Sequence, residues 1–164
     1  MALTLVASRH TVPGRALSDR ERVRQLILNF ITAHYNWERA AYDQWESTDT
    51  AYEQDGVTYE SEQGEKLAAS ISKSYDDALS PFVASSVGLR CGGWGIPLKH
   101  HPEYERVLSV HKRGNKYVVR TKLKRDLAGV TMTDSYEYHV VFEDGDLKIA
   151  RLLCVLDDTS FDAL

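Results

Sequence analysis

Residues 116–149 read KYVVRTKLKRDLAGVTMTDSYEYHVVFEDGDLKI, and this stretch decides the fold. Its side chains alternate in character. Tyr117, Val119, Thr121 and Leu123 fall on one side of an extended chain, and Val118, Arg120, Lys122 and Lys124 on the other. Successive side chains of a strand point to opposite faces, so the pattern predicts a sheet with one face covered and one half exposed. Tyr136, Tyr138, Val140 and Phe142 repeat it on a second run. Gly114-Asn115 and Asp144-Gly145 stand where tight hairpin turns belong. With the flanking segments, four strands are expected at about 103–112, 116–126, 131–143 and 147–156. The last is apolar on both faces in its second half, which places it centrally or beneath a helix.

The first half of the chain keeps a different period. Ser18 followed by Glu21 fits a capping box, with Asp19 in the first turn where the helix dipole favours an anion. From there Val23, Leu26, Ile27, Phe30, Ile31, His34, Trp37, Ala41 and Trp45 form one helical stripe, predicting a helix over about 19–46 whose length leaves room for a bend near Tyr42. Residues 47–63 are polar and acidic, with a turn signal at Asp55-Gly56 and room for a short second helix. Leu67, Ala68, Ile71, Tyr75, Ala78 and Leu79 predict a further helix over about 65–79, interrupted at Ser80-Pro81 because the residue before proline avoids helical geometry. Gly88, Gly92, Gly93, Gly95, Pro97 and Pro102 mark an irregular connection, from which Trp94 is expected to fold back onto the core. Residues 1–17 contain Pro13-Gly14 and no periodicity; they read as an N-terminal arm, leaving 18–164 as a single domain. Helices followed by an antiparallel meander define an α+β class.

Composition narrows the function. A chain of 164 residues is long enough to bury a full core without staples. Its formal net charge of −4 argues against a general nucleic-acid or anionic-membrane binder. Cys91 and Cys154 stand far apart and outside any C-x-x-C pair, so they read as reduced thiols rather than a disulfide framework or zinc site. No signal peptide and no run of membrane-spanning length is legible, and the cytoplasm is the expected location.

Catalytic and cofactor motifs are not apparent. Gly92-Gly93-Trp94-Gly95 lacks the following Lys-Ser/Thr of a phosphate loop. His100 and His101 are adjacent, so in extended chain they diverge instead of converging on a metal; both are expected to be exposed loop residues. His139 is expected to face outwards from its strand. His34 lies on the apolar stripe, four residues from Glu38, and a His-carboxylate pair in a pocket can do general acid/base work. The simpler expectation is a half-buried, satisfied histidine. No metal and no cofactor is expected.

Charge is the sharpest signal. Asp43, Glu46, Asp49, Glu53, Asp55, Glu60, Glu62 and Glu65 follow one another with no Lys or Arg between Ala40 and Glu65. Lys99, Arg106, Lys112, Arg113, Lys116, Arg120, Lys122, Lys124 and Arg125 crowd the middle strands. A solvated, solubilising face accounts for either set. The functional reading is an acidic surface that attracts a basic protein partner by steering and complementary potential.

Three segments carry a resemblance. They are Phe30-Ile31-Thr32-Ala33-His34-Tyr35-Asn36-Trp37-Glu38, then Pro102-Glu103-Tyr104, then Tyr136-x-Tyr138 with Val141-Phe142-Glu143-Asp144-Gly145-Asp146-Leu147-Lys148-Ile149. Over roughly residues 20–158 the chain resembles the immunity proteins of bacterial polymorphic toxin systems that have a nuclear-transport-factor-2-like fold. The resemblance implies a cone in which N-terminal helices pack on a curved antiparallel sheet of about four strands. It also implies a non-catalytic protein that binds and neutralises a cognate toxin domain, with no shared functional residues to carry over; a monomer or homodimer is expected, and the sequence does not distinguish them. The acidic set from Asp43 to Glu65 is then the expected contact surface. The alternative is a small-ligand binder or an isomerase- or hydrolase-type enzyme. In that case His34, Trp37, Glu38, Tyr104 and Tyr138 line a pocket, with His34 or Glu38 as base.

Overall fold

The computed structural model describes residues 16–156 and 159–164, with Leu127 by its backbone alone. Residues 1–15 of the expected arm lie outside the described residues.

Helix α1 spans Asp19–Glu46. Its start is the expected capping box: Glu21 N donates to Ser18 Oγ, and Ser18 N donates to the Glu21 carboxylate at 2.7 Å. The helix runs through Tyr42 without a break. No break interrupts the helix there, and the backbone ladder continues to Glu46. Its buried stripe, Val23, Ile27, Phe30, Ile31, His34, Trp37, Glu38 and Ala41, faces the sheet and the next helix.

The expected short helix within 47–63 is instead a hairpin, β1 (Ala51–Gln54) and β2 (Val57–Glu60), turning at Asp55-Gly56. Tyr52, Val57, Thr58 and Tyr59 favour extended backbone, and the Asp-Gly turn closes it. Helix α2, Glu62–Leu79, follows at once, N-capped by Ser61, and runs into a 3-10 turn at Ser80–Phe82. Pro81 fits there because a helix start needs no proline N–H.

The meander is β3 (Glu105–Arg113), β4 (Lys116–Leu127), β5 (Val130–Glu143), β6 (Asp146–Leu156) and β7 (Thr159–Asp162), antiparallel and in sequence order. The sheet has five strands rather than about four. β7 is a short edge strand pairing with the end of β6, so β6 lies inside the sheet, as its two apolar faces required. Bulges between Val107 and Ser109 and opposite His139/Val140 break the register; extra residues at such points bend a strand. Tyr117, Val119, Thr121, Leu123, Tyr136, Tyr138 and Val140 are all buried on the face beneath α1. Cross-strand neighbours such as Val110–Val119–Tyr138–Leu152 form rows across it. The connection after the 3-10 turn is tied to the sheet by Ala84 N donating to Ile149 O at 2.9 Å. Trp94 returns to the core's edge, its ring against Trp45 at 5.4 Å. No described helix is long and apolar enough to cross a membrane.

Candidate functional site

The acidic set lies on three consecutive elements: the end of α1, the β1–β2 hairpin and the start of α2. Asp43, Glu46, Asp49, Glu53, Asp55, Glu60, Glu62 and Glu65 are all exposed. Among the described ion pairs only Glu62 of this set takes part, with Lys66 Nζ at 2.5 Å. Glu62 and Glu65 complement the N-terminal end of α2. Asp43 and Glu46 do the opposite. They occupy the last turn of α1, which holds no basic residue, against the negative end of the helix dipole, although Arg39 one turn earlier attracts Asp43. Each such placement is unfavourable by about 0.3–1 kcal/mol. Local helix stability does not account for them.

The hairpin between these helix ends offers side chains of another kind. All eight strand residues are exposed. Asp55 (φ 53°) and Gly56 (φ 75°) both take the left-handed conformation of a type I′ turn, which sets the register. That register puts Tyr52 opposite Tyr59, and their rings stack at 5.5 Å and 23°. Tyr52 and Val57 are each 50% exposed. Two tyrosines and a valine are thus presented to solvent on one face of the hairpin, with Glu53 and Glu60 on the other. The base of the hairpin is clamped by backbone: Ser61 N donates to Thr50 O, and Ser61 Oγ to Asp49 O, both at 2.9 Å. Gly64 fits against this clamp because a Cβ there would meet Thr50 O at 2.4 Å.

The basic residues are less uniform. Arg120 pairs with Glu137 at 3.0 Å, and Arg125 is half-buried, bonded to Asp134 and, at 2.8 Å, to Leu98 O. Lys99 Nζ donates to Gly93 O at 3.0 Å. Part of this set therefore fastens the connection to the sheet.

The expected pocket residues divide. His34, Trp37, Glu38 and Tyr138 are buried together, but Tyr104 is 54% exposed, stacked on His101 at 4.3 Å outside the core. Tyr104 immediately precedes β3, so it points outward while Glu105 points in. His34 Nδ1 stands 3.7 Å from Glu38 Oε2 and has no hydrogen-bond partner. Burial, then the neighbouring His100 and Lys99, hold His34 well below the usual imidazole range, so it is a neutral ring. Glu38 accepts from Lys99 N at 2.8 Å, and burial raises its carboxyl above the usual value against the opposing effect of that bond.

His100 overturns its expectation as an exposed loop residue: it is 2% exposed. Its Nδ1 lies 2.7 Å from Glu105 Oε2, and its ring meets those of His34 at 4.7 Å and Tyr136 at 4.6 Å. Glu105 also accepts from Thr121 Oγ1 at 2.5 Å and Tyr138 Oη at 3.0 Å. Three donors on one carboxyl satisfy a group that would be costly to bury alone. The only advance signal was the five-residue spacing of His100 and Glu105, which no periodicity distinguishes. His139 is half-buried and bonded to Glu137 at 2.8 Å on the outer face. Among the described residues no cluster of three or more His, Cys, Asp or Glu has metal-holding geometry.

No family model matches the chain, and no curated protein is similar to it at a significant level. One solved structure, of a designed nuclear-transport-factor-2-like protein, matches at 11% identity, covering 79% of this chain and 96% of that one, with a TM-score of 0.32.

Proposed function

We propose that this chain is a binding protein of the immunity type, with the nuclear-transport-factor-2-like cone as its scaffold, that captures a cognate bacterial toxin domain and blocks it. One observation carries this reading: the exposed Tyr52–Tyr59 pair on one face of a hairpin whose other face carries Glu53 and Glu60 and whose eight strand residues are all exposed. Aromatic residues with a charged surround are the composition of interface hot spots and their rims. Asp43 and Glu46, placed against the dipole of α1, support the same use, since their effect on the helix is unfavourable. The partner face is basic. A toxin that handles nucleic acid has such a face, and carboxylates there would stand in for phosphates. The buried cluster supports binding over catalysis by the His34–Glu38 pair. His34 is enclosed and neutral, and Glu38 is occupied by the Lys99 amide.

The test is growth rescue. The C-terminal domain of the protein encoded upstream of this chain, the candidate toxin, is induced in a bacterium with and without this chain, then with the charge-reversed triple variant Glu46→Lys, Asp49→Lys, Glu53→Lys. The wild type is expected to rescue growth. The triple variant is expected to associate at least about tenfold more slowly at low salt, with a flatter salt dependence. Unchanged association kinetics would move the interface off the hairpin.

A further inference from the structure

A cavity of ≈460 Å³ opens where the long connection, the end of α2, the sheet and the chain's last described residues meet. Its volume falls in the range of small-molecule sites, roughly 300–1,000 Å³. It is separate from the acidic hairpin, and its lining differs from the pocket set expected from the sequence. Six side chains define its chemistry: Tyr75, Arg90, Lys99, His100, Tyr136 and Asp162.

Two of them are almost wholly buried polar groups with an atom to spare. His100 has Nδ1 engaged by Glu105, which leaves Nε2 for a ligand. An imidazole oriented through one nitrogen by a carboxylate presents the other in a fixed direction. Tyr75 is 3% exposed, its ring packed on Trp37 at 4.6 Å, and its hydroxyl makes none of the described hydrogen bonds. Burial pushes that hydroxyl up to about 12, so it stays protonated and can donate. Tyr136 has its hydroxyl bound to Lys99 O at 2.7 Å and offers the cavity a ring wall. At the rim Arg90 is exposed and free of described ion pairs, and Lys99 Nζ is held at Gly93 O. The one acidic side chain in the described lining, Asp162, is paired with Arg151 at 2.9 Å. Among the described side chains of the lining the unpaired charge is positive, over a floor of aromatic rings and hydrogen-bonding groups.

We propose that this cavity is a binding site for a small carboxylic acid with a flat apolar body. The acid group meets Arg90 and Lys99, with the Tyr75 hydroxyl as a nearby hydrogen-bond donor. The body lies against the Tyr136 ring. Arg is suited to this because its guanidinium matches a carboxylate in two parallel hydrogen bonds.

Naphthoate is the probe, with naphthamide as its uncharged counterpart, titrated calorimetrically into the full chain. Naphthoate is expected to bind saturably and at least about tenfold tighter than the amide, the scale of one charge-assisted hydrogen bond. Arg90→Ala alters an exposed side chain, so the fold is retained; it should weaken naphthoate by roughly tenfold and leave the amide unchanged. Tyr75→Phe removes one hydroxyl and should weaken the acid by a smaller factor. Equal affinities for acid and amide, wild-type affinity in Arg90→Ala, or no saturable binding at millimolar naphthoate would each overturn the assignment. Neither variant touches the hairpin, so the outcome is independent of the toxin reading.

Discussion

Two hairpins of this chain turn on the same dipeptide and end in opposite circumstances. β5 and β6 turn at Asp144-Gly145, β1 and β2 at Asp55-Gly56, and in both turns the Asp and the Gly have positive φ. Along β5–β6, Tyr136, Tyr138, Val140, Leu147, Ile149 and Leu152 are buried beneath α1. Along β1–β2 every strand residue is exposed. Turn chemistry sets register in each, but only the first is held by the removal of apolar surface from water. The second is held by its turn, a tyrosine stack and a backbone clamp at its base. A strand pair can therefore belong to the fold without belonging to the core.

The widest contrast is a pair of tyrosine truncations. Tyr138→Ala removes a fully buried ring and leaves Glu105 with one donor fewer; a loss of about 3–5 kcal/mol is expected in urea unfolding. Tyr52→Ala should stay within about 0.5 kcal/mol of wild type, as exposed substitutions do. A loss for Tyr52→Ala approaching that of Tyr138→Ala would break the contrast and make the hairpin part of the core.

Gly64→Ala probes the clamp. In an open helix this change stabilises by up to about 1 kcal/mol. Here the added methyl meets a backbone carbonyl at 2.4 Å, one already fixed by Ser61 N, so it cannot be relieved by a side-chain rotation. A net loss of about 1–3 kcal/mol is expected. Hydrogen exchange should quicken at β1 and β2 while β5 amides keep their protection. Exchange that quickens equally in both would show the two hairpins to be one cooperative unit.

The smallest effect comes from acid. The His34 ring titrates in the folded chain well below its ordinary value of 6.5. Below pH 6.5 the unfolded chain therefore binds a proton that the fold refuses, and stability falls with pH by up to about 1.4 kcal/mol per unit. The loss continues until the folded ring itself is protonated. Glu38 acts with the opposite sign at lower pH, because its raised carboxyl holds a proton better folded than unfolded. A His34→Leu variant should lose less stability than wild type on going from pH 7 to pH 5.5. Parallel stability-pH curves for the two proteins would remove His34 from the account.

Legibility in the sequence followed burial. α1, α2 and the first four strands of the meander were readable because one face of each is covered, which imposes a period of 3.6 or 2. β1 and β2 have no covered face, so alternation had nothing to impose, although two β-prone runs flanking Asp-Gly were there to be seen. β7 is four residues at an edge and left no pattern. Of the candidate site, the acidic stretch was visible as composition, but the Tyr52–Tyr59 pair depended on the missed hairpin. His100 was missed for another reason. Its burial arises from a long connection returning beneath α1, and only tertiary structure brings it to Glu105.

The clamp at the base of β1–β2 has a consequence for how this molecule can change over generations. Ser61 and Thr50 hold the hairpin through main-chain groups, and Gly64 contributes only the lack of a side chain. None of these contacts depends on which residues occupy positions 51–54 and 57–60. Single changes at those eight positions are expected to have little effect on folding, since exposed sites away from caps and cores stay within about ±0.5 kcal/mol. The segment can therefore change its surface residue by residue while the scaffold beneath it is kept.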